Sequence, residues 1–172
     1  MLDIAEIERI CEARHGDPFA VLGMHRDDLG RLWVRAMLPG AARVSVVDAA
    51  GDRKVADLAR RHDAGFFEGH VPGQEPFRYR LRVDAGGAAR TLEDPYRFGH
   101  VLGAMDLWLL AEGTHLRPFE ALGAHPRVID DVAGTAFAVW APNAERVSVA
   151  GDFNEWDGRR HPMRLRREAG VW

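Results

Sequence analysis

The feature of this sequence that most constrains its fold is an internal repeat with a period of about a hundred residues. Three pairs of segments align in the same order in both halves: residues 17–25 with 117–125, residues 39–47 with 142–150, and residues 65–67 with 170–172. The first pair reads DPFAVLGMH and RPFEALGAH, and the second reads PGAARVSVV and PNAERVSVA. Because all three matches keep their order, the chain is predicted to contain two copies of one module.

Alternation of apolar and polar residues predicts short β-strands in these copies. Residues 77–83 alternate large apolar side chains with arginines, a period of two that gives a strand one dry face and one wet face. Residues 32–38 alternate likewise, and turn residues such as Pro39-Gly40 and Gly86-Gly87 separate the runs. Short strands at this spacing favour an all-β fold of two tandem immunoglobulin-like β-sandwich modules.

Two segments break the strand pattern. Isoleucines near the N-terminus share one face of a helical pattern, which predicts a short N-terminal amphipathic helix. A strongly apolar segment between the copies is predicted to be a helical linker that docks against its neighbours. The predicted organisation is a helix at residues 1–16, a first module at 17–100, a linker at 101–116 and a second module at 117–172.

The second copy is shorter than the first. About 30 residues that follow Phe67 in the first copy have no counterpart after Trp172. We therefore expect the second module to be truncated at its C-terminus and the chain to be a fragment of a longer protein. Strands without ladder partners would leave residues 113–172 loosely packed or prone to aggregation unless a neighbour covers them.

Composition narrows the classes of function. The formal net charge of −3 argues against nucleic acid as a partner, because nucleic-acid binders usually present a strongly basic surface. No apolar run approaches the roughly 20 residues that span a bilayer, and the N-terminus is not a secretory signal. Cys11 is the only cysteine, so an intrachain disulfide is impossible and the expected location is cytoplasmic.

No set of residues in the sequence predicts catalysis or metal binding. The adjacent carboxylates Asp130-Asp131 lie in a predicted loop, where neighbouring side chains point to opposite sides. The histidines lack the short spacings of metal sites. His25 and His125 hold the same place in the two copies, which favours a structural hydrogen bond over ligation. We predict no catalytic residue, no metal and no cofactor.

The motifs of both copies resemble those of bacterial glycogen branching enzymes. GTAFAVWAPNAERVSVAGDFNEWDG at residues 134–158 resembles the start of a family-48 carbohydrate-binding module. WDGRRHPMR at residues 156–164 is typical of glycogen branching enzymes. DPFAVLGMH at residues 17–25, EDPYRFG at 93–99 and EGTHLRPFEALGAH at 112–125 resemble the extra N-terminal module of the longer bacterial members.

The resemblance implies a parent enzyme that cuts an α-1,4 glucan and rejoins the piece through an α-1,6 link. The family does this in a (β/α)8 barrel by a retaining mechanism. The barrel motifs are not in this sequence, so residues 1–172 alone are expected to be inactive. The implied role is to bind or position α-glucan, as glycogen or amylose-like chains, and to pack on the catalytic barrel. The alternative is a stand-alone glycogen-binding or scaffold protein without enzymatic activity.

A sugar-binding aromatic ring must be exposed. This requirement separates the tryptophans that are expected to be covered from those that could bind a sugar. Trp33 and Trp140 lie in predicted strands and are expected to be buried in the sandwiches, while Trp108 is expected to dock between domains. Trp156 lies in the polar turn FNEWDG. By the resemblance, Trp156 stacks on a glucose ring and Asn154 is its hydrogen-bonding companion. The alternative for this loop is an interdomain contact.

A basic run follows this turn directly. Six of the residues between 159 and 167 are arginine or histidine. The first expectation is a solvated rim, because clustered charges usually stay in water. The alternative is docking onto an acidic surface of the catalytic barrel.

Overall fold

The computed structural model describes residues 1–73 and 75–172. In its first part these residues form α1 (Ile4–Cys11), β1 (Gly23–Arg26), β2 (Leu32–Met37), β3 (Arg43–Asp48), β4 (Lys54–His62), β5 (Phe66–Val71), β6 (Tyr79–Ala85) and β7 (Ala88–Glu93). The second part contains α2 (Ala104–Glu112), β8 (Gly123–Ile129) and β9 (Val132–Ala138). The predicted all-β class with a short N-terminal helix is confirmed. In the described ranges neither helix is long and apolar enough to cross a membrane.

The strands of the first module form one antiparallel sheet that curls on itself. Their order is β1-β2-β5-β4-β3-β6-β7. The curl lies in β4, where residues 54–58 pair with β3 and residues 59–62 pair with β5. The register shifts at Arg60/His62, and a bulge of this kind lets one strand pass from one layer to the other. The two halves of the sheet therefore face each other across a common core.

Two apolar clusters fill the first module. The larger lies between the halves of the sheet and contains Val46 of β3 and Phe67 of β5. The smaller lies under α1, where Ile7 packs against Met37 and Phe66 on the other side of the sheet. Phe66 and Phe67 are neighbours on one strand, so their side chains point to opposite faces. Fully burying each of these large side chains stabilises the module by about 1.5–3 kcal/mol.

The second module repeats contacts of the first, and the repeat begins at the helix. His15 Nε2 lies 3.3 Å from Glu6 Oε1 of α1, and His115 Nε2 lies 3.2 Å from Asp106 Oδ1 of α2. In each copy the histidine Nδ1 accepts a hydrogen bond from the backbone N–H two residues further on, at 3.1 and 3.2 Å. The contacts of the helices are therefore repeated as well, and they lie ahead of residues 17 and 117, where the two modules are predicted to begin.

A further set of repeated contacts lies just after the end of β2 and just after the end of β9, its counterpart in the second module. The Leu38 N–H donates to Gly65 O at 2.8 Å, and the Ala141 N–H donates to Gly170 O at 3.0 Å. A Cβ on Gly65 would lie 2.5 Å from Leu38 O, and one on Gly170 would lie 2.6 Å from Cβ of Pro142. Both glycines also have positive φ, 103° and 63°. The close approach of two backbone segments thus explains why both copies carry glycine here.

The second module has fewer paired strands in the described residues. β8 and β9 form a hairpin whose turn is Asp130-Asp131, with both residues in the left-handed region. Segment 142–150 aligns with residues 39–47, which contain most of β3. In the described residues it keeps only the bridge between Ser148 and Pro162. The cluster under α2 consists of three buried residues, which are Leu107, Ala169 and Val171. The predicted helical linker is therefore present as α2, and it docks on the second module.

The expectation that Trp140 is buried is wrong. Trp140 is 59% exposed, because in the described residues no strand covers that side of the hairpin. Trp108 is 58% exposed, because α2 docks on the second module through Leu107, and its docking against a further domain stays a prediction. Trp33 is half-buried on β2, where its Nε1 donates to Asp27 Oδ2 at 3.0 Å. A groove of about 610 Å³ runs between the first module and the exposed side of the hairpin.

Candidate functional site

The loop at residues 151–158 carries the predicted site. It opens with a short 3-10 turn, Asp152–Asn154, and continues through Glu155 and Trp156 with φ of 59° and 58°. Two consecutive non-glycine residues in the left-handed region cost about 1–2 kcal/mol each. The Trp156 N–H closes the loop by donating to Gly151 O at 3.0 Å. The loop therefore depends on side-chain contacts to keep this conformation.

Asn154 supplies those contacts from inside the loop. It is 1% exposed, and its Oδ1 accepts a hydrogen bond from the Gly151 N–H at 2.9 Å. Its Nδ2 donates to Val149 O at 2.8 Å and lies 3.0 Å from His161 Nδ1. Leaving a buried amide without partners would cost about 1–3 kcal/mol. A direct contact between Asn154 and a sugar stays a prediction, and this geometry favours a role in holding the loop.

His161, which contacts the Asn154 amide, is favoured in its neutral form. Burial, together with the charge of Arg160, lowers the pKa of His161 below its usual value. A neutral imidazole can leave Nδ1 free of a proton, so this nitrogen can accept the hydrogen bond that the Asn154 amide donates. The buried side of the loop is therefore uncharged near neutral pH.

Trp156 lies on the outer side of the loop. Its side chain is 69% exposed, and its Nε1 donates to Asp152 Oδ1 at 2.9 Å. This bond restrains the indole while leaving the ring accessible. Glu155 carries an exposed carboxylate next to it in the chain. An accessible ring beside hydrogen-bond acceptors suits a ligand that has one apolar face and a rim of hydroxyls.

Phe153 is an exposed aromatic residue of the same loop that the sequence analysis did not identify. Its ring lies edge-on to His161, with centroids 5.5 Å apart, and it lines the groove. Gly151 leaves room for it, because a Cβ there would lie 2.7 Å from Phe153 Cε1. Its position in the same polar turn as Trp156 is the signal that could have revealed it.

The basic run does not form the solvated rim that was expected first. Arg159 binds Asp157 through two bonds of 2.9 and 2.6 Å, and this hydrogen bonding lowers the pKa of Asp157. Arg160 Nη2 donates to Pro39 O of the first module at 2.9 Å. The Arg164 guanidinium lies 4.6 Å from the ring centroid of Phe19, also in the first module. In the described residues, half-buried arginines of this run contact the first module.

Two family models match this chain. Residues 3–96 match the N-terminal domain of the alpha-1,4-glucan branching enzyme GlgB, which is more than half of the chain. The chain belongs to this family. Residues 121–172 match carbohydrate-binding module 48, the isoamylase N-terminal domain. The two matches fall on the two copies of the repeat, so the GlgB N-terminal domain and the carbohydrate-binding module stand in tandem.

Solved structures resemble only part of the chain. The catalytic module of the multi-modular glycogen-degrading pneumococcal virulence factor SpuA, in complex with an inhibitor, is 18% identical at a TM-score of 0.31. A mutant pullulanase from Paenibacillus barengoltzii, complexed with maltotriose, is 19% identical at a TM-score of 0.30. Each match covers 41% of this chain and only 12% or 11% of the solved chain. This chain therefore spans a small part of the proteins it matches.

Proposed function

We propose that this chain forms the N-terminal modules of a 1,4-alpha-glucan branching enzyme, whose parent protein makes α-1,6 branch points in glycogen. In this proposal the second module binds α-glucan, as glycogen or amylose-like chains, and presents it to the rest of the enzyme. The membership of the GlgB N-terminal family and the match to carbohydrate-binding module 48 support it. The observation that carries the binding role is the exposed and restrained indole of Trp156.

The chemistry of the proposed site follows from the loop. The indole of Trp156 covers the apolar face of a glucose ring, which removes both surfaces from water without requiring a charge on the ligand. The carboxylates of Asp152 and Glu155 accept hydrogen bonds from sugar hydroxyls. Asn154 holds the loop in shape from beneath. The site favours a neutral polyol, because the Asp152 carboxylate beside the ring disfavours an anionic ligand.

The catalytic barrel of the parent protein is the proposed partner. The exposed apolar side chains of α2, Met105 and Trp108, support this assignment, because exposed apolar patches often mark contact surfaces. Residues 1–172 alone are proposed to be inactive, and the barrel to supply the chemistry. The cytoplasm is the proposed location, which the single unpaired cysteine supports.

Affinity electrophoresis in glycogen-containing gels tests the binding role. Trp156→Ala is expected to lose about 1–3 kcal/mol of binding free energy, the range of a single aromatic stacking contact. Trp108→Ala is the matched control, because it removes an exposed tryptophan outside the loop. Equal retardation of the wild type and of Trp156→Ala would remove this residue from the site.

A further inference from the structure

Arg160 joins the candidate loop to the first module. Its Nη2 donates to Pro39 O at 2.9 Å and lies 3.0 Å from Glu155 Oε2. Pro39 lies in the turn between β2 and β3, and Glu155 immediately precedes Trp156. The arginine side chain is only 13% exposed. One largely desolvated guanidinium therefore contacts both a backbone carbonyl of the first module and the residue next to the proposed sugar platform.

The same interface contains a second hydrogen bond of this kind. Arg146 Nη1 donates to Ala13 O, just after α1, at 2.8 Å. Both acceptors are main-chain carbonyls, which do not titrate and which the fold of the first module holds in place. One nitrogen of each guanidinium makes the contact, Nη2 of Arg160 and Nη1 of Arg146. The chain on both sides of the loop is thus hydrogen-bonded to the first module.

The backbone of the loop explains why such an anchor matters. Glu155 and Trp156 are consecutive residues in the left-handed region, a conformation that residues with a Cβ rarely keep without restraint. Asn154 restrains the first half of the loop from inside. Arg160 restrains the second half through the Glu155 carboxylate. Without the contact between Arg160 and Glu155, Glu155 and Trp156 would leave the left-handed conformation more readily.

We infer that Arg160 is a positioning residue for the glucan platform, and that the first module contributes to glucan binding through it. The guanidinium holds Glu155, and thereby Trp156, against the Pro39 carbonyl without itself contacting the sugar. The first module then acts as a scaffold for the site of the second. This inference rests on the proposed function, because it assigns a purpose to the orientation of Trp156.

Glycogen affinity of substituted chains of residues 1–172 tests the inference. Arg160→Ala is expected to weaken binding about three- to tenfold, the effect of one net hydrogen bond. Arg160→Lys retains a positive donor and is expected to recover part of the loss. Arg90→Ala, at an exposed position on β7, is the matched control and is expected to bind like the wild type. If Arg160→Ala does not fold, Arg160→Lys alone carries the test and is expected to show a smaller loss.

Two additional readouts separate positioning from general stability. In a Trp156→Ala background, Arg160→Ala is expected to cause no further loss of affinity, because both changes remove the same platform. In chains labelled with 5-fluorotryptophan, the ¹⁹F resonance of Trp156 is expected to broaden or shift in Arg160→Ala and to stay unchanged in Arg90→Ala. The Trp156→Phe variant assigns that resonance.

The outcomes are distinguishable. Unchanged affinity together with an unchanged ¹⁹F resonance in Arg160→Ala would overturn the inference, as would additive losses in the double variant. If Trp156→Ala itself leaves glycogen affinity unchanged, Trp156 is not part of the glucan site and the proposed binding role of the loop fails. The ¹⁹F resonance then still decides whether Arg160 positions the tryptophan.

Discussion

The two modules begin with the same contacts and differ in how far their cores are covered. In the first, Gly23 of β1 pairs with Arg35 of β2, and in the second Gly123 of β8 pairs with Ala138 of β9. The hairpin register is therefore the same in both copies. Yet Val34 of β2 is fully buried, whereas its aligned partner Phe137 on β9 is 43% exposed. The alternating pattern decides which face a side chain takes, and the strands that pack over that face decide whether it is buried.

The difference fits the two roles proposed for the modules. In the first module both halves of a curled sheet close over the core, and the closed core makes a rigid scaffold. The second module keeps the helix, the histidine contact and the hairpin, and it presents exposed aromatic rings such as Trp156 and Phe153. Two copies of one module can therefore differ in role: one copy can support the structure while the other presents exposed aromatic rings.

The same chemical change in the two modules should have very different effects on stability. Phe67→Ala removes a buried ring from the first core and is expected to lower the free energy of unfolding by about 3–5 kcal/mol. Phe137→Ala removes a partly exposed ring and is expected to cost less than about 1 kcal/mol. Urea unfolding monitored by circular dichroism measures both. A similar loss of unfolding free energy in both variants would mean that the two cores are equally closed.

A buried carboxyl gives the first module a pH dependence of its own. Burial raises the pKa of Asp94 from 3.8 to about 6, although hydrogen bonds from Tyr79 Oη and the Tyr96 N–H act in the opposite direction. Because the folded-state pKa is the higher one, the folded protein binds this proton more tightly than the unfolded chain. The stabilisation is complete below the unfolded pKa and is lost as the pH rises through the folded pKa.

The expected loss is about 3 kcal/mol between roughly pH 4 and pH 7, at 1.36 kcal/mol for each unit of pKa difference. Asp94→Asn cannot titrate, so it is expected to remove this contribution. Unfolding free energies of the wild type and the variant across that pH range give the difference. A wild type that becomes more stable relative to Asp94→Asn as the pH rises would contradict the assignment.

Much of this fold could be predicted from particular residues. The period of two over residues 77–83 predicted β6, and the turn residues Pro39-Gly40 predicted the end of β2. The inclusion of the helices in the repeat was harder to predict. α1 and α2 share little sequence. Few positions mark them as counterparts: Glu6 aligns with Asp106, Ile7 with Leu107, and His15 with His115, which contact those two carboxylates. Contacts between separate segments of a chain form no continuous sequence pattern, so they are hard to predict.

Some features of the candidate site could be predicted from the sequence and others could not. The polar turn FNEWDG predicted that Trp156 would be exposed, and it is. The burial of Asn154 was not predictable from a turn that is polar throughout, because its amide is satisfied by loop closure and by His161. The contact of Arg160 with Pro39 could not be predicted either, since its acceptor is a main-chain carbonyl that any residue could supply. Trp140 is exposed because no strand in the described part of the chain packs over it, and its own pattern does not encode that.

We propose that the first module supports the glucan site and that the second module binds the glucan. Amide hydrogen exchange on residues 1–172, with and without a soluble maltooligosaccharide, tests it most directly. Strong protection of β2 to β6 is expected in both conditions, and increased protection of residues 151–158 is expected only when the sugar is present. Ligand-induced protection confined to the first module, or no change at residues 151–158 at saturating sugar, would contradict it.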